Sequence, residues 1–195
     1  MNITTTNITS LITQPPNMPL LTGDEFVAHY SNQRVELVRG VLQKFLMAGA
    51  RHGEICSQVD FAVRLWTISS GLGRVVCNDT FLYTSRNPDS IRGADVAFLS
   101  YAKYPKHEGL PDGVLPATPE VVFEVRSPSD VWTLIFAKAE EYIAAGVLVV
   151  VLLDPPTRTL SIIRANHEQT MLADNDELTL PELPAFTVPV RQFFD

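Results

Sequence analysis

Two carboxylates lie within apolar runs that have the composition of core strands. Asp95 interrupts Gly93-Ala94-Asp95-Val96-Ala97-Phe98-Leu99, and Glu124 interrupts Val121-Val122-Phe123-Glu124-Val125. An ionised carboxylate in such a strand is costly unless it is paired, hydrogen-bonded or bound to a metal ion. Side chains alternate across a strand, so Val122, Glu124 and Arg126 share one face while Phe123 and Val125 share the other. If the two strands are neighbours, the acids can share a hard divalent cation such as Mg²⁺, with water completing its shell. A site of that kind suits phosphodiester chemistry.

The segment after Glu124 supplies a cation. At about 100° per residue, Val131, Leu134, Ile135, Lys138 and Tyr142 fall in one arc of a helix, with Lys138 on its apolar side. A lysine there ordinarily threads its stem out to solvent. A helix beginning directly after the Glu124 strand instead directs it back toward the carboxylates. Its ammonium would then stabilise charge building up on a phosphate. With a lowered pKa it would orient or deprotonate an attacking water. Arg126 stays protonated, which leaves it phosphate contact or carboxylate pairing. Glu36, in Val35-Glu36-Leu37-Val38, is a further candidate as an outer metal ligand or orienting group. His52, in line with Ile55 and Val59, is a candidate proton carrier or phosphate donor.

Each of these residues also has a plainer reading. Asp95 would cap the turn after Gly93, Glu124 would pair with Arg126 or Arg92, Glu36 would be exposed, and His52 would be structural. Taken singly the plainer reading is preferred; Asp95, Glu124, Lys138 and Glu36 together favour a site. Other motifs weigh less. Gly71-Leu72-Gly73 lacks the third glycine of a dinucleotide loop. His52, Glu54 and Cys56 lack the partner pattern of a zinc site. Ser127 and Ser129 precede a helix without a histidine to activate them, so they read as caps.

The elements that must position these residues follow from punctuation and periodicity. Residues 1–19, rich in Thr, Asn and Pro, read as a flexible tail, and 20–195 as a single domain. Thr22 and Glu25 form a capping box that opens a helix through Tyr30. Strands Arg34–Val38 and Val41–Leu46 join at Arg39-Gly40. A helix over His52–Ser70 stops at Gly71. Short strands over Arg74–Cys77 and Thr80–Thr84 precede the Asp95 strand, and residues 101–119 form a long loop. The Glu124 strand breaks at Ser127-Pro128-Ser129. Ser129 or Asp130 then caps a helix to about Ala145, which Gly146 closes. Val147–Leu153 is a buried strand, and Leu160–Arg164 returns after the turn at Asp154-Pro155-Pro156. This order predicts an α/β (α+β) fold with a mixed sheet.

Composition bounds the function. At 195 residues and 46% hydrophobic, the chain suits one domain with a sizeable core. A net charge of −7 argues against a generic electrostatic grip on nucleic acid. Cys56 and Cys77 are too few for a disulfide framework and fit a reducing, cytoplasmic setting. No signal-peptide pattern opens the chain, and no apolar run is long enough to span a bilayer, so no membrane role is expected.

At these residues the chain resembles the Uma-two family of restriction-endonuclease-like proteins, also called domain of unknown function 820, in the PD-(D/E)XK nuclease superfamily. The matching stretches are Val35-Glu36-Leu37-Val38-Arg39-Gly40, His52-Gly53-Glu54-Ile55 and Gly93-Ala94-Asp95-Val96-Ala97-Phe98. The strongest is Phe123-Glu124-Val125-Arg126-Ser127-Pro128-Ser129-Asp130, continued by Lys138-Ala139-Glu140-Glu141-Tyr142 and Gly146-Val147. The likeness spans roughly residues 20–195. It implies a restriction-endonuclease-like fold, with a central mixed sheet flanked by helices and an added N-terminal β-hairpin. It further implies Mg²⁺-dependent cleavage of DNA, with Mn²⁺ able to substitute.

By that resemblance Asp95 and Glu124 are the metal-binding acids and the backbone carbonyl of Val125 also reaches the metal. The superfamily's usual lysine, two residues past the glutamate, is Arg126 here; Lys138 on the following helix is the matching cation. Glu36 matches the acid that often precedes the core strands. Two departures stand out: Val131–Phe136 is more apolar than in relatives, and Val147–Leu153 lacks a tryptophan. The leading reading is a metal-dependent endonuclease, as a homodimer, acting on DNA. The alternatives are a catalytically inactive nuclease-fold module that binds DNA or protein, and a metal-dependent hydrolase of a smaller phosphoester.

Overall fold

Thr22 opens α1 (Gly23–Tyr30): its hydroxyl accepts the Glu25 N–H while the Glu25 carboxylate accepts the Thr22 N–H, so the capping box is complete. A computed structural model of the chain describes residues 19–45, 49–166 and 169–195. The expected tail up to residue 18 and the expected strand end at Leu46 therefore lie outside the described residues. Strands β1 (Val35–Val38) and β2 (Val41–Lys44) form the expected hairpin. Arg39 (φ 51°) and Gly40 (φ 77°) are successive left-handed residues, the turn chemistry that matches strand twist. Helix α2 (Ala50–Ser70) begins two residues earlier than its periodicity predicts and ends where Gly71 takes φ 67°.

The strands expected at 74–77 and 80–84 are one. Strand β3 (Gly73–Ser85) runs antiparallel to β4 (Ser90–Ser100), and the register jumps from Cys77–Val96 to Thr80–Ala94. Asn78 (φ 70°) and Asp79 (φ 54°) form the bulge that absorbs the jump. Asn and Asp tolerate left-handed backbone better than other side chains, which is why the pair reads as a break in sequence yet only bends the strand.

Strand β5 (Val121–Val125) pairs antiparallel with β4 and parallel with β6 (Val149–Asp154), the crossover being α3 (Trp132–Ala144). Neither Ser129 nor Asp130 caps α3. Val131 holds the N-cap position without a side-chain bond, and the Asp130 carboxylate instead accepts the Ser127 N–H at 2.7 Å. Strand β6 is buried along its length, as its uninterrupted apolar run predicts. Strands β7 (Thr159–Arg164) and β8 (Gln169–Ala173) extend the sheet. Its path is β2-β1-β4-β5-β6-β7-β8, with β3 also on β4. A small second sheet of β9 (Glu177–Thr179) and β10 (Thr187–Pro189), followed by a 3-10 turn at Val190–Phe193, was not anticipated.

The mixed sheet is covered on both faces. On one, Ile55, Val59, Val63 and Trp66 of α2 pack with Phe98, Phe123 and Val151. The Trp66 indole also donates to the Pro184 carbonyl at 2.9 Å, tying down the C-terminal segment. On the other face Ala139 and Tyr142 of α3 pack with Ala97, Leu99, Val122 and Val150. Helix α1 closes the hairpin end through Phe26 on Leu37 and Ile91. Among the described residues no helix is long and apolar enough to cross a membrane.

Candidate active site

The β4–β5 ladder stops at Val96–Phe123, and the gap beyond it holds the two acids. There the Asp95 carboxylate takes the place of a backbone acceptor: the Val125 N–H donates to its Oδ2 at 2.7 Å. The next N–H, of Arg126, donates to Leu153 in β6 at 2.9 Å. Backbone groups of successive strand residues point to opposite neighbours, so the N–H and C=O of Val125 both face the β4 side. Strand pairing thus brings Asp95, Glu124 and the Val125 carbonyl to one opening.

Helix α3 covers that opening with two side chains one turn apart. The Lys138 ammonium donates to the Gly93 carbonyl at 2.8 Å and to Glu124 Oε2 at 2.9 Å. Glu36 Oε1 lies 3.2 Å from the same nitrogen. The ammonium thus makes two hydrogen bonds and one further ion pair. The Tyr142 hydroxyl lies 2.8 Å from Glu124 Oε1 and 3.0 Å from the Gly93 carbonyl.

Glu36 is buried, and its oxygens accept from the Gly93 N–H at 2.9 Å and from Arg92 at 2.8 Å. Arg92 spends its remaining fork on Glu141, at 2.7 and 2.8 Å. His52 enters from α2, with Nε2 3.2 Å from Asp95 Oδ2 and Nδ1 3.4 Å from Cys56 Sγ. Arg126 is turned elsewhere. Its Nε donates to Asp154 at 2.6 Å and its guanidinium stacks 5.0 Å from the Trp132 ring centroid. The sequence groups Arg126 with Glu124 on one strand face; the strand ends at Val125, and Arg126 instead closes the end of β6.

The electrostatics follow from burial opposed by pairing. Burial, with Asp95 adding to it, pushes the Glu124 carboxyl up to about 8 despite Lys138. The Tyr142 hydroxyl donates toward Glu124 Oε1 at 2.8 Å, with the Gly93 carbonyl a second acceptor at 3.0 Å. Burial also disfavours charge on Glu36, yet Lys138, Arg92 and the Gly93 N–H outweigh it and lower its pKa. Burial alone would lower Lys138; Glu124 and Glu36 reverse that and hold it well above its ordinary range. The lowered pKa that a lysine base requires is therefore not what this site creates. His52 is likewise raised, burial being overcome by its bond and charge interaction with Asp95. Asp79, carried on the β3 bulge, is raised by burial and then by Asp95.

The donor set fits a hard divalent cation. Asp95, Glu124 and the Val125 carbonyl offer oxygen only, and the burial and Asp95 charge that raise the Glu124 carboxyl are what a bound cation would offset. Asp79, Tyr142, Arg92 and Glu141 complete the constellation without being picked out in sequence for this site. Asn78-Asp79 marks a bulge only once its strand is known to be continuous. Tyr142 shares the arc of Lys138, which was the available signal.

The fold is thus an open mixed sheet flanked by helices, with Asp95, Glu124 and Lys138 gathered where β4 and β5 cease to pair. A family model described as "Putative restriction endonuclease", Uma2, matches residues 24–191, and the chain belongs to that family. A similar solved structure is that of a putative nuclease of the DUF820 family from Anabaena variabilis. It superposes with a TM-score of 0.78 at 17% identity, over 89% of this chain and 97% of that one. No curated protein matches the chain.

Proposed function

We propose that this protein is a metal-dependent endodeoxyribonuclease, with Asp95, Glu124 and the Val125 carbonyl holding Mg²⁺ or Mn²⁺ in one domain over residues 20–195. The observation that carries the reading is the Lys138 ammonium bonded to Glu124 and Gly93 beside Glu36, at the gap where Asp95 meets Val125. When bound, the ion supplies positive charge at the scissile phosphate and acidifies water.

The chain's own residues do the rest. Glu124 would hold the ion through its carboxylate. Lys138, held charged by the two glutamates, offsets negative charge on the phosphate rather than acting as a base. Glu36 fixes that ammonium, and Arg92 with Glu141 fixes Glu36. His52, oriented by Asp95, is placed to carry a proton or to donate to a phosphate oxygen. Arg126 contributes by clamping Asp154 rather than by phosphate contact.

DNA is the substrate we assign, acted on by a cytoplasmic homodimer, the exposed Val131, Trp132 and Leu134 of the α3 segment being apolar enough to serve as a subunit contact. The net charge of −7 favours one alternative, a non-cleaving nuclease-fold module. Supercoiled plasmid incubated with protein and Mg²⁺ or Mn²⁺ separates the two. Nicking that Glu124→Gln and Lys138→Met both abolish supports the enzyme; salt-sensitive binding without nicking supports the module.

A further inference from the structure

Helix α2 brings a thiol to the same opening. His52 and Cys56 sit one turn apart and so project from one side of the helix. The imidazole Nδ1 lies 3.4 Å from Cys56 Sγ, while Nε2 lies 3.2 Å from Asp95 Oδ2. One ligand atom from each of the three residues falls within 4.8 Å of the other two. The sequence displays only the i, i+4 pair; the third ligand arrives from β4 through the fold.

The spacing suits coordination. A tetrahedral ion with Zn–S about 2.3 Å and Zn–N about 2.0 Å holds the two ligand atoms roughly 3.5 Å apart. The thiol already stands 3.4 Å from Nδ1; since an imidazole gives an ion only one nitrogen, Asp95, now against Nε2, must turn to complete the set. One sulfur, one imidazole nitrogen and one carboxylate oxygen form a borderline-soft set that prefers Zn²⁺ or Co²⁺ to Mg²⁺. We propose that His52, Cys56 and Asp95 form a site for a thiophilic divalent cation of the zinc class, with water as fourth ligand.

The surroundings set the cost of the site. Burial first, then the charges of Asp95 and Glu124, push the Cys56 thiol up, so a thiolate forms there only with a cation to hold it. A divalent cation replaces the thiol proton, which passes to solvent, and its charge offsets the same carboxylates. The ion would draw on Asp95, the acid that the two-acid oxygen site also uses. Its donor set nevertheless differs, and its presence is read without DNA, so failure of the nuclease reading would leave it standing.

The test uses the reduced full chain and cobalt(II). One equivalent should give a thiolate-to-cobalt charge-transfer band with tetrahedral visible bands, and Zn²⁺ should abolish them. The bands should survive Cys77→Ser and Glu124→Gln and vanish in Cys56→Ser. Absence of the band in the native protein, or its persistence in Cys56→Ser, overturns the proposal and leaves only a thiol–imidazole hydrogen bond. Should Cys56→Ser fail to fold, alkylation of Cys56 in the Cys77→Ser protein decides. Zn²⁺ should slow it several-fold where Mg²⁺ does not, and an unchanged rate overturns the assignment.

Discussion

Lys138 and Glu36 meet at 3.2 Å although one belongs to the last long helix and the other to the N-terminal hairpin. The contact spans the sheet and leaves the ammonium charged, since Glu124 and Glu36 together outweigh its burial. A fixed cation beside two buried acids is suited to stabilising a transferring phosphate.

Replacing Lys138 by Met should therefore lower the nicking rate by roughly 10²–10³-fold. The loss of folding stability should be smaller than for most buried pairs, below about 3 kcal/mol, because Glu36 keeps Arg92 and the Gly93 N–H. Initial rates on plasmid and urea denaturation read the two effects separately. A large stability loss with unchanged specific activity would make the lysine purely structural.

Glu124 gives the metal-free protein a pH signature. Its carboxyl sits at about 8 when folded against an ordinary 4.5. The folded state thus holds the proton more tightly, so this contribution is complete below about pH 4.5 and is lost as pH rises through about 8. Glu36, lowered on folding, works in the opposite sense on the acid side. Glu124→Gln should flatten the decline between these limits in denaturation curves recorded across pH. An unchanged decline would show that Glu124 is not the group responsible.

Asp95 holds the His52 pKa up against burial. In Asp95→Asn the ring should titrate lower, followed by NMR of the imidazole protons. A raised histidine contributes stability below its unfolded pKa that fades as pH passes its folded value, and that contribution should shrink in the variant. A ring titration that does not move would place His52 away from Asp95 in solution.

The bond from Arg126 to Asp154 predicts a different outcome from that of Lys138. Arg126→Ala leaves Asp154 buried with Thr157 as its remaining partner and should cost on the order of 3 kcal/mol in thermal or urea unfolding. Nicking by the folded fraction should be retained. Lost nicking at unchanged stability would restore the phosphate contact that the sequence suggested.

Much of this was legible in the chain because the signals were local. The Thr22–Glu25 box, the Arg39-Gly40 turn and the Gly71 stop each act over a few residues, and each element formed where they indicated. The acids stood out because burying charge is costly wherever the strands pair. What escaped depended on contacts distant in sequence. The continuity of β3 across Asn78-Asp79 needs β4 as its template, and the placing of Asp79 follows from it. Arg126 pairs with a carboxylate, one of the two roles its sequence left open, but the partner is Asp154 of β6 rather than Glu124, because β5 ends at Val125. The thiol of Cys56 acquired a third neighbour only when β4 came under α2.

The most direct measurement is an anomalous difference map from crystals soaked in Mn²⁺. A single strong peak between the Asp95 and Glu124 carboxylates, close to the Val125 carbonyl and lost in Glu124→Gln, is the predicted result. A map without a peak at saturating Mn²⁺, or with one displaced from both acids, would contradict the account.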